Sequence, residues 1–170
     1  MTKPVHSSAH SLLSVIGNTP LVELTRSSPK EGVRIFAKLE GNNPTGSIKD
    51  RVARALMRDA VASGALKPGG TVVEASSGNT GIAVAMVARQ MGFDAQIVLP
   101  QGIVPSICDA LNILGVPIHR CESHAGMKGA IDVADELAVT LGGVCLQQFR
   151  SPINVSVHYE TTGLEIASSL

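Results

Sequence analysis

The chain reads as an α/β protein with a mostly parallel sheet covered by helices on both faces. Three observations predict this: short β-branched runs alternate with longer stretches of helical period, glycines close those stretches, and the apolar content is aliphatic rather than aromatic. Of 170 residues, 44% are hydrophobic but only 2% aromatic, with one Tyr and no Trp, so the core has to be built from Ala, Val, Ile, Leu and Met. That palette suits strands buried on both faces, which read as near-continuous apolar runs. A chain of this length buries roughly two-thirds of its unfolded surface and requires no metal or disulfide staple.

A polar tail is expected at 1–10 and a single domain over 11–170. Strands are expected at 33–40 (VRIFAKLE), 71–76 (TVVEAS), 95–100 (AQIVLP), 116–121 (VPIHRC) and 144–149 (VCLQQF). Helices are expected at about 48–63, 80–90, 105–114, 125–141 and 158–170, with Gly64, Gly92, Gly115 and Gly142 as stops. In β-α-β-α order the strands run parallel, and ligand sites fall at their carboxyl ends. No repeat, low-complexity block or internal linker interrupts the pattern. The run Lys49 to Arg58 reads as a solvated helix face, and Met86 and Met91 as helix packing.

The composition also excludes partners. Fourteen basic residues balance fourteen acidic ones, without the basic excess or stacking aromatics of a nucleic-acid binder. The longest apolar run, Ile82 to Ala88, falls far short of the roughly 18 to 20 residues that span a bilayer, and the first ten residues lack a signal-peptide core. Cys108, Cys121 and Cys145 form no CxxC pattern, and the five His show no metal-ligand spacing. Neither a disulfide framework nor a metal site is expected, and a reducing cytoplasm is the expected location.

Two stretches carry chemistry. In Ser47-Ile48-Lys49-Asp50 the serine suits an N-cap and Asp50, three residues on, the return bond of a capping box, which puts Lys49 in the first turn of a helix. A cation there faces the positive end of the helix dipole, and a neutral amine is the nucleophile that imine formation with a carbonyl cofactor needs. The same spacing suits a solvated lysine at a helix start. A nucleotide-phosphate loop does not fit, because that motif needs the lysine directly after its second glycine, whereas Ser47 and Ile48 intervene after Gly46. The second stretch, Glu74 to Gly81, closes a strand and opens a helix with two glycines and several hydroxyls. Such a turn can receive an anion through its N–H groups, although a plain capped turn has the same composition.

Taken together, VIGNTPLVEL at 15–24, KLEGNNPTGSIKDR at 38–51, PGGTVVEASSGNTGIAVA at 68–85 and HYETTGLEI at 158–166 resemble the cysteine synthase and cystathionine β-synthase family. These are fold-type II pyridoxal phosphate enzymes of the tryptophan synthase β-like fold, and the wording is most similar to cysteine synthases of the B type. The resemblance implies pyridoxal 5′-phosphate as cofactor and β-replacement on an activated serine: O-acetylserine and sulfide to cysteine. It implies that Lys49 forms the Schiff base and later moves the substrate α-proton, and that Asn79 holds the cofactor 3′-oxygen. Ser76, Ser77, Gly78, Thr80 and Gln148 would receive the substrate carboxylate.

The motifs cover the first half of such a chain. The resemblance therefore assigns the cofactor-phosphate loop and the group facing the pyridine nitrogen to the second half. Residues 103–108, Ile-Val-Pro-Ser-Ile-Cys, stand where the family reads M-S-x-E-R-R, and Leu164 replaces a usual Pro. Homodimerisation or association with a full-length relative is implied. A catalytically inactive remnant or binding subunit of the same fold is the alternative.

Overall fold

The computed structural model describes residues 11–170, so the polar tail at 1–10 lies outside the described residues. The chain opens with a 3-10 turn at Leu12–Val15 and a short antiparallel pair, β1 (Leu21–Glu23) and β2 (Phe36–Lys38), in which Val22 faces Ala37. Helix α1 (Lys49–Ala62) follows, and then β3 (Thr71–Ala75), α2 (Asn79–Met91), β4 (Asp94–Leu99), α3 (Pro105–Ile113), β5 (Ile118–Arg120), α4 (Gly126–Leu141) and β6 (Val144–Cys145) alternate as expected. β3 to β6 form one parallel sheet in the order β5-β4-β3-β6.

The expected strand at 33–40 contracts to β2, and its partner β1 was not foreseen because three residues carry too little periodicity to register. The expected strand at 144–149 also stops early. Leu146 still donates its N–H to the Val73 carbonyl at 3.1 Å, but Gln147 takes a positive φ of 54° and turns the chain out of the sheet. The last helix begins at α5 (Ile153–Val157) rather than at 158, widens into a π-helical stretch at His158–Gly163, and ends as α6 (Leu164–Ala167). All four expected glycine stops have left-handed φ, from 61° at Gly142 to 79° at Gly92, a region a side chain enters at a cost.

Helices cover both faces of the parallel sheet. On one, α1 and α2 pack Val52, Met57, Val84 and Val87 against Val72, Ile97 and Leu99. On the other, Ala130, Ala134 and Ala138 of α4 recur every fourth residue and lie against Val73, Ala75 and Val98. Their small side chains let the helix approach the sheet closely. Gly81 does the same for α2, since a Cβ there would sit 2.9 Å from Ile97 Cγ2.

The helix face from Lys49 to Arg58 is not solvated as a whole. Asp50 and Arg51 are fully buried, and Arg51 lies at the centre of a charge cluster. Its guanidinium donates to Glu40 at 2.8 Å through both Nε and Nη2, and to Glu165 at 2.6 and 2.7 Å. Lys38 Nζ pairs with Glu165 at 2.7 Å and donates to the Thr19 carbonyl at 2.6 Å. A buried guanidinium survives only when its donors are matched by acceptors, and here the acceptors come from residues far apart in sequence. Residue types within one helix could not reveal that. Gly17 has no side chain because a Cβ would crowd Arg51 Nη1 at 3.1 Å. Hydrogen bonds from Arg51, against the cost of burial and with help from Lys38 and the Asn18 N–H, hold the Glu165 carboxyl at about 2. Burial opposes the same shift at Glu40, yet hydrogen bonds from Arg51, Thr19 and Asn43 leave it lowered as well.

A carboxyl whose folded pKa is depressed stabilises above its unfolded pKa and loses that contribution as pH falls through the folded value. With Glu165 at about 2 against 4.5 unfolded, we expect Glu165→Gln to cost on the order of 2 to 3 kcal/mol at pH 7 and to flatten the loss of stability on acidification below about pH 4.5. Urea unfolding at pH 7 and pH 3 checks this, and equal losses for both proteins on acidification would contradict it.

Candidate active site

Lys49 is the first residue of α1. Its N–H donates to Ser47 Oγ at 3.2 Å, so Ser47 caps the turn as expected, but the reciprocal half of the capping box is absent. Asp50 turns instead to Thr45, accepting its N–H at 2.7 Å and its hydroxyl. The reason lies in the backbone: Gly46, at φ 81°, folds Thr45 back over the helix start and supplies two donors at once. Burial pushes the Asp50 carboxyl up even though both Thr45 bonds oppose the shift. The turn is thereby pinned and the Lys49 side chain left to the cleft. Among the described residues its ammonium enters no hydrogen bond or ion pair.

The second stretch lies between β3 and α2, at the carboxyl end of the central strands. Ser76 N–H makes the last sheet bond, to the Val98 carbonyl at 3.0 Å. Its hydroxyl then organises the loop from within, accepting from the N–H groups of Gly78 at 3.0 Å and Gly81 at 2.9 Å. The N–H groups of Ser77, Asn79 and Thr80 keep no partner among the described residues. Unpaired amides at the start of a thirteen-residue helix are the donors an anion needs. The Thr80 hydroxyl donates to Gln148 Oε1 at 2.8 Å, while Gln148 Nε2 donates to the Ala75 carbonyl at 2.8 Å.

Both stretches and Gln148 line one open cleft of about 470 Å³: Lys49, Ser76, Ser77, Gly78, Asn79, Thr80 and Gln148 all border it. Every residue the sequence singled out for this chemistry therefore meets in one place. They differ in what they offer there. Ser77 and Asn79 are exposed, whereas Ser76, Thr80 and Gln148 are buried, with their polar groups already engaged.

Three further walls come from Val104, Ile107 and Phe149. Val104 and Ile107 belong to the stretch 103–108 that departs from the family wording, and neither they nor Phe149 were expected at the site, although 104 and 107 follow the end of β4, where a parallel sheet places its ligands. Glu74, read only as the start of the second stretch, is buried at 1% exposure beneath the loop. Burial, and then its hydrogen bond to Asp135, push the Cys145 thiol up to about 12, which disfavours the nucleophilic thiolate. Burial, and then the charges of Lys49 and Arg51, lower the His158 imidazole. Among the described residues no cluster of His, Cys, Asp and Glu is placed to hold a metal ion, and no helix is long and apolar enough to cross a membrane.

Comparison with known proteins gives a consistent result. A family profile described as "Pyridoxal-phosphate dependent enzyme" matches residues 12–170. Cysteine synthase B of Escherichia coli (strain K12) is 43% identical over 155 residues, which is 91% of this chain and 51% of that protein. The O-acetylserine dependent cystathionine beta-synthase of Bacillus subtilis (strain 168) is 41% identical over 160 residues, 94% of this chain and 52% of its own. Among solved structures, O-ureido-L-serine synthase superposes with a TM-score of 0.89 at 41% identity, covering 94% of this chain and 50% of that one. The chain thus spans about half the length of these relatives.

The geometry separates residues that build the loop from those that face the cleft. Ser76→Ala strips the buried Gly81 N–H and the part-buried Gly78 N–H of their acceptor and is expected to cost about 1 to 3 kcal/mol of stability. Lys49→Ala is expected to change stability by no more than about 0.5 kcal/mol, because its half-buried side chain has no polar partner among the described residues. Denaturant unfolding of the two variants measures both; a Lys49→Ala loss as large as that of Ser76→Ala would contradict the assignment.

Proposed function

The chain belongs to the pyridoxal-phosphate dependent enzyme family, and from that premise we propose that it carries the lysine and carboxylate-binding side of a cysteine synthase-type site. The proposed reaction is β-replacement on an activated serine, in which O-acetylserine and sulfide yield cysteine and acetate. The observation that carries this reading is the convergence, in one cleft, of an amine and a helix-start loop's N–H groups that have no partner among the described residues.

The residues fit the cofactor in kind. The Lys49 amine would hold it covalently, and the Asn79 side-chain amide would donate to its phenolic oxygen. When bound, the cofactor supplies an electron sink for charge released at the substrate α-carbon. The chain's own residues do the rest. The N–H groups of Ser77 and Thr80, the Gly78 backbone and the exposed Ser77 hydroxyl receive the substrate carboxylate, within a loop shaped by the Ser76 hydroxyl and backed by Gln148. The Lys49 amine would move the proton at the α-carbon. Partners of this reading are an amino-acid substrate and a sulfur nucleophile, with the cytoplasm as the place of action. Exposed Val155, Tyr159 and Leu164 on the last helix support pairing with a second copy or a longer relative.

Incubation with pyridoxal phosphate is expected to produce a visible absorbance band that Lys49→Ala abolishes. Borohydride reduction should then leave the cofactor's mass on the peptide containing Lys49. A wild-type chain giving neither a lysine-dependent band nor an adduct would overturn the proposal.

A further inference from the structure

Glu74 occupies the point where the β3–β6 ladder ends. The ladder pairs Val72 with Val144 and Val73 with Cys145, Leu146 adds one more bond to Val73, and Gln147 at φ 54° then leaves the sheet. Beyond that turn no main-chain acceptor on β3 meets the Gln148 N–H. The Glu74 carboxylate takes over: Oε2 accepts the Gln148 N–H at 3.1 Å and Oε1 the Ala75 N–H at 2.9 Å. Gln148 in turn bridges the Ala75 carbonyl and the Thr80 hydroxyl with its side-chain amide, while its own carbonyl accepts from Asn154 at 3.0 Å. One carboxylate thus joins the end of β3 to the residue that braces the helix-start loop.

We propose that Glu74 is a positioning residue: by holding the Gln148 main chain in place of a sheet partner, it fixes where the Gln148 amide meets Thr80, and through Thr80 it fixes the N–H groups that receive the substrate carboxylate. The last link rests on the functional reading above; the clamp itself does not.

The surroundings of Glu74 are unfavourable to its charge. Asp135 of α4 adds a like charge, and Cys145 of β6 shares the small cavity beside it with Arg150, which is paired to Asp135 at 2.8 Å. Loop 76–80 contributes no charged group. Burial raises the Glu74 carboxyl to about 7 despite the two N–H bonds. A group with a raised folded pKa stabilises its buried arrangement fully below the unfolded value near 4.5, and that contribution is lost as pH rises through about 7. Opening of the clamp, which returns the charged carboxylate to water, should therefore become easier on alkalinisation.

Amide hydrogen exchange on the full chain tests this from about pH 5 to 8, corrected for intrinsic base catalysis. In the wild type the opening equilibrium at Ala75 and Gln148 should rise together, by up to roughly tenfold per pH unit as one proton is lost. Glu74→Gln should abolish that slope and shift the Thr80 and Gln148 side-chain resonances, whereas Asp135→Asn should retain the slope. If Glu74→Gln does not fold, the wild type decides alone: Ala75 and Gln148 must lose protection together while Val73 does not. A slope that persists in Glu74→Gln, or Thr80 and Gln148 resonances that ignore the substitution, would overturn the proposal. None of these readouts requires cofactor, so they stand apart from the Lys49 test. Where the lysine-dependent band forms, Glu74→Gln should keep it while weakening O-acetyl-L-serine binding at least fivefold; unchanged binding would reject the link to the substrate carboxylate.

Discussion

Much of the structure depends on how one buried cation is neutralised. Arg51 is fully enclosed, and enclosing a guanidinium is tolerable only if nearly all of its donors are met. Its acceptors come from the turn after β2 and from the far end of the chain, Glu40 and Glu165, with the Thr19 hydroxyl completing the set, while Lys38 pairs with Glu165 beside it. Helix α1 is thereby held against both the N-terminal hairpin and the C-terminal helix. Two residues along a helix is a rotation of about 200°, so side chains at 49 and 51 leave on different sides. The clamp on Arg51 therefore fixes the axis and rotation of α1 while directing Lys49 elsewhere, into the cleft. Position 49 gains its orientation from contacts made at 51.

The opposite wall of the cleft is fixed by different means. No ion pair holds the loop at 76–80; it is held by hydroxyl and amide geometry, with Ser76 bonding inward and Gln148 reaching across from the end of β6. That division has a chemical logic. A loop whose own polar side chains are satisfied within the protein can leave main-chain N–H groups free for an anion without collapsing onto them. The apolar residues at 104, 107 and 149 border the same cleft and lower its local polarity, which strengthens what those few donors can do.

The alternation of strands and helices was legible from periodicity, and so were the glycine stops and the two chemical stretches, because each is written in consecutive residues. Features that depend on distant partners were not. Arg51 reads as a surface charge until residue 165 is brought to it, and Asp50 reads as half of a capping box until Gly46 folds Thr45 over the helix start. β1 is too short to signal itself, and the kink at Gln147, a non-glycine residue at positive φ, has no sequence mark. Glu74 shows the limit most clearly: in sequence it is a polar residue within a strand, and only the departure of β6 from the sheet gives its carboxylate something to hold. The candidate site residues were named because their motif resembles a known family; their division into loop-building and cleft-facing groups came from the structure.

The central claim is that Lys49 and the loop at 76–80 form two sides of one cofactor site. A crystal structure of the chain after reduction with pyridoxal phosphate tests it most directly. The account predicts a covalent bond at Lys49 Nζ with the phenolic oxygen within hydrogen-bonding distance of the Asn79 amide; a cofactor bonded instead to Lys30, Lys38, Lys67 or Lys128, with the cleft at Lys49 unmodified, would contradict it.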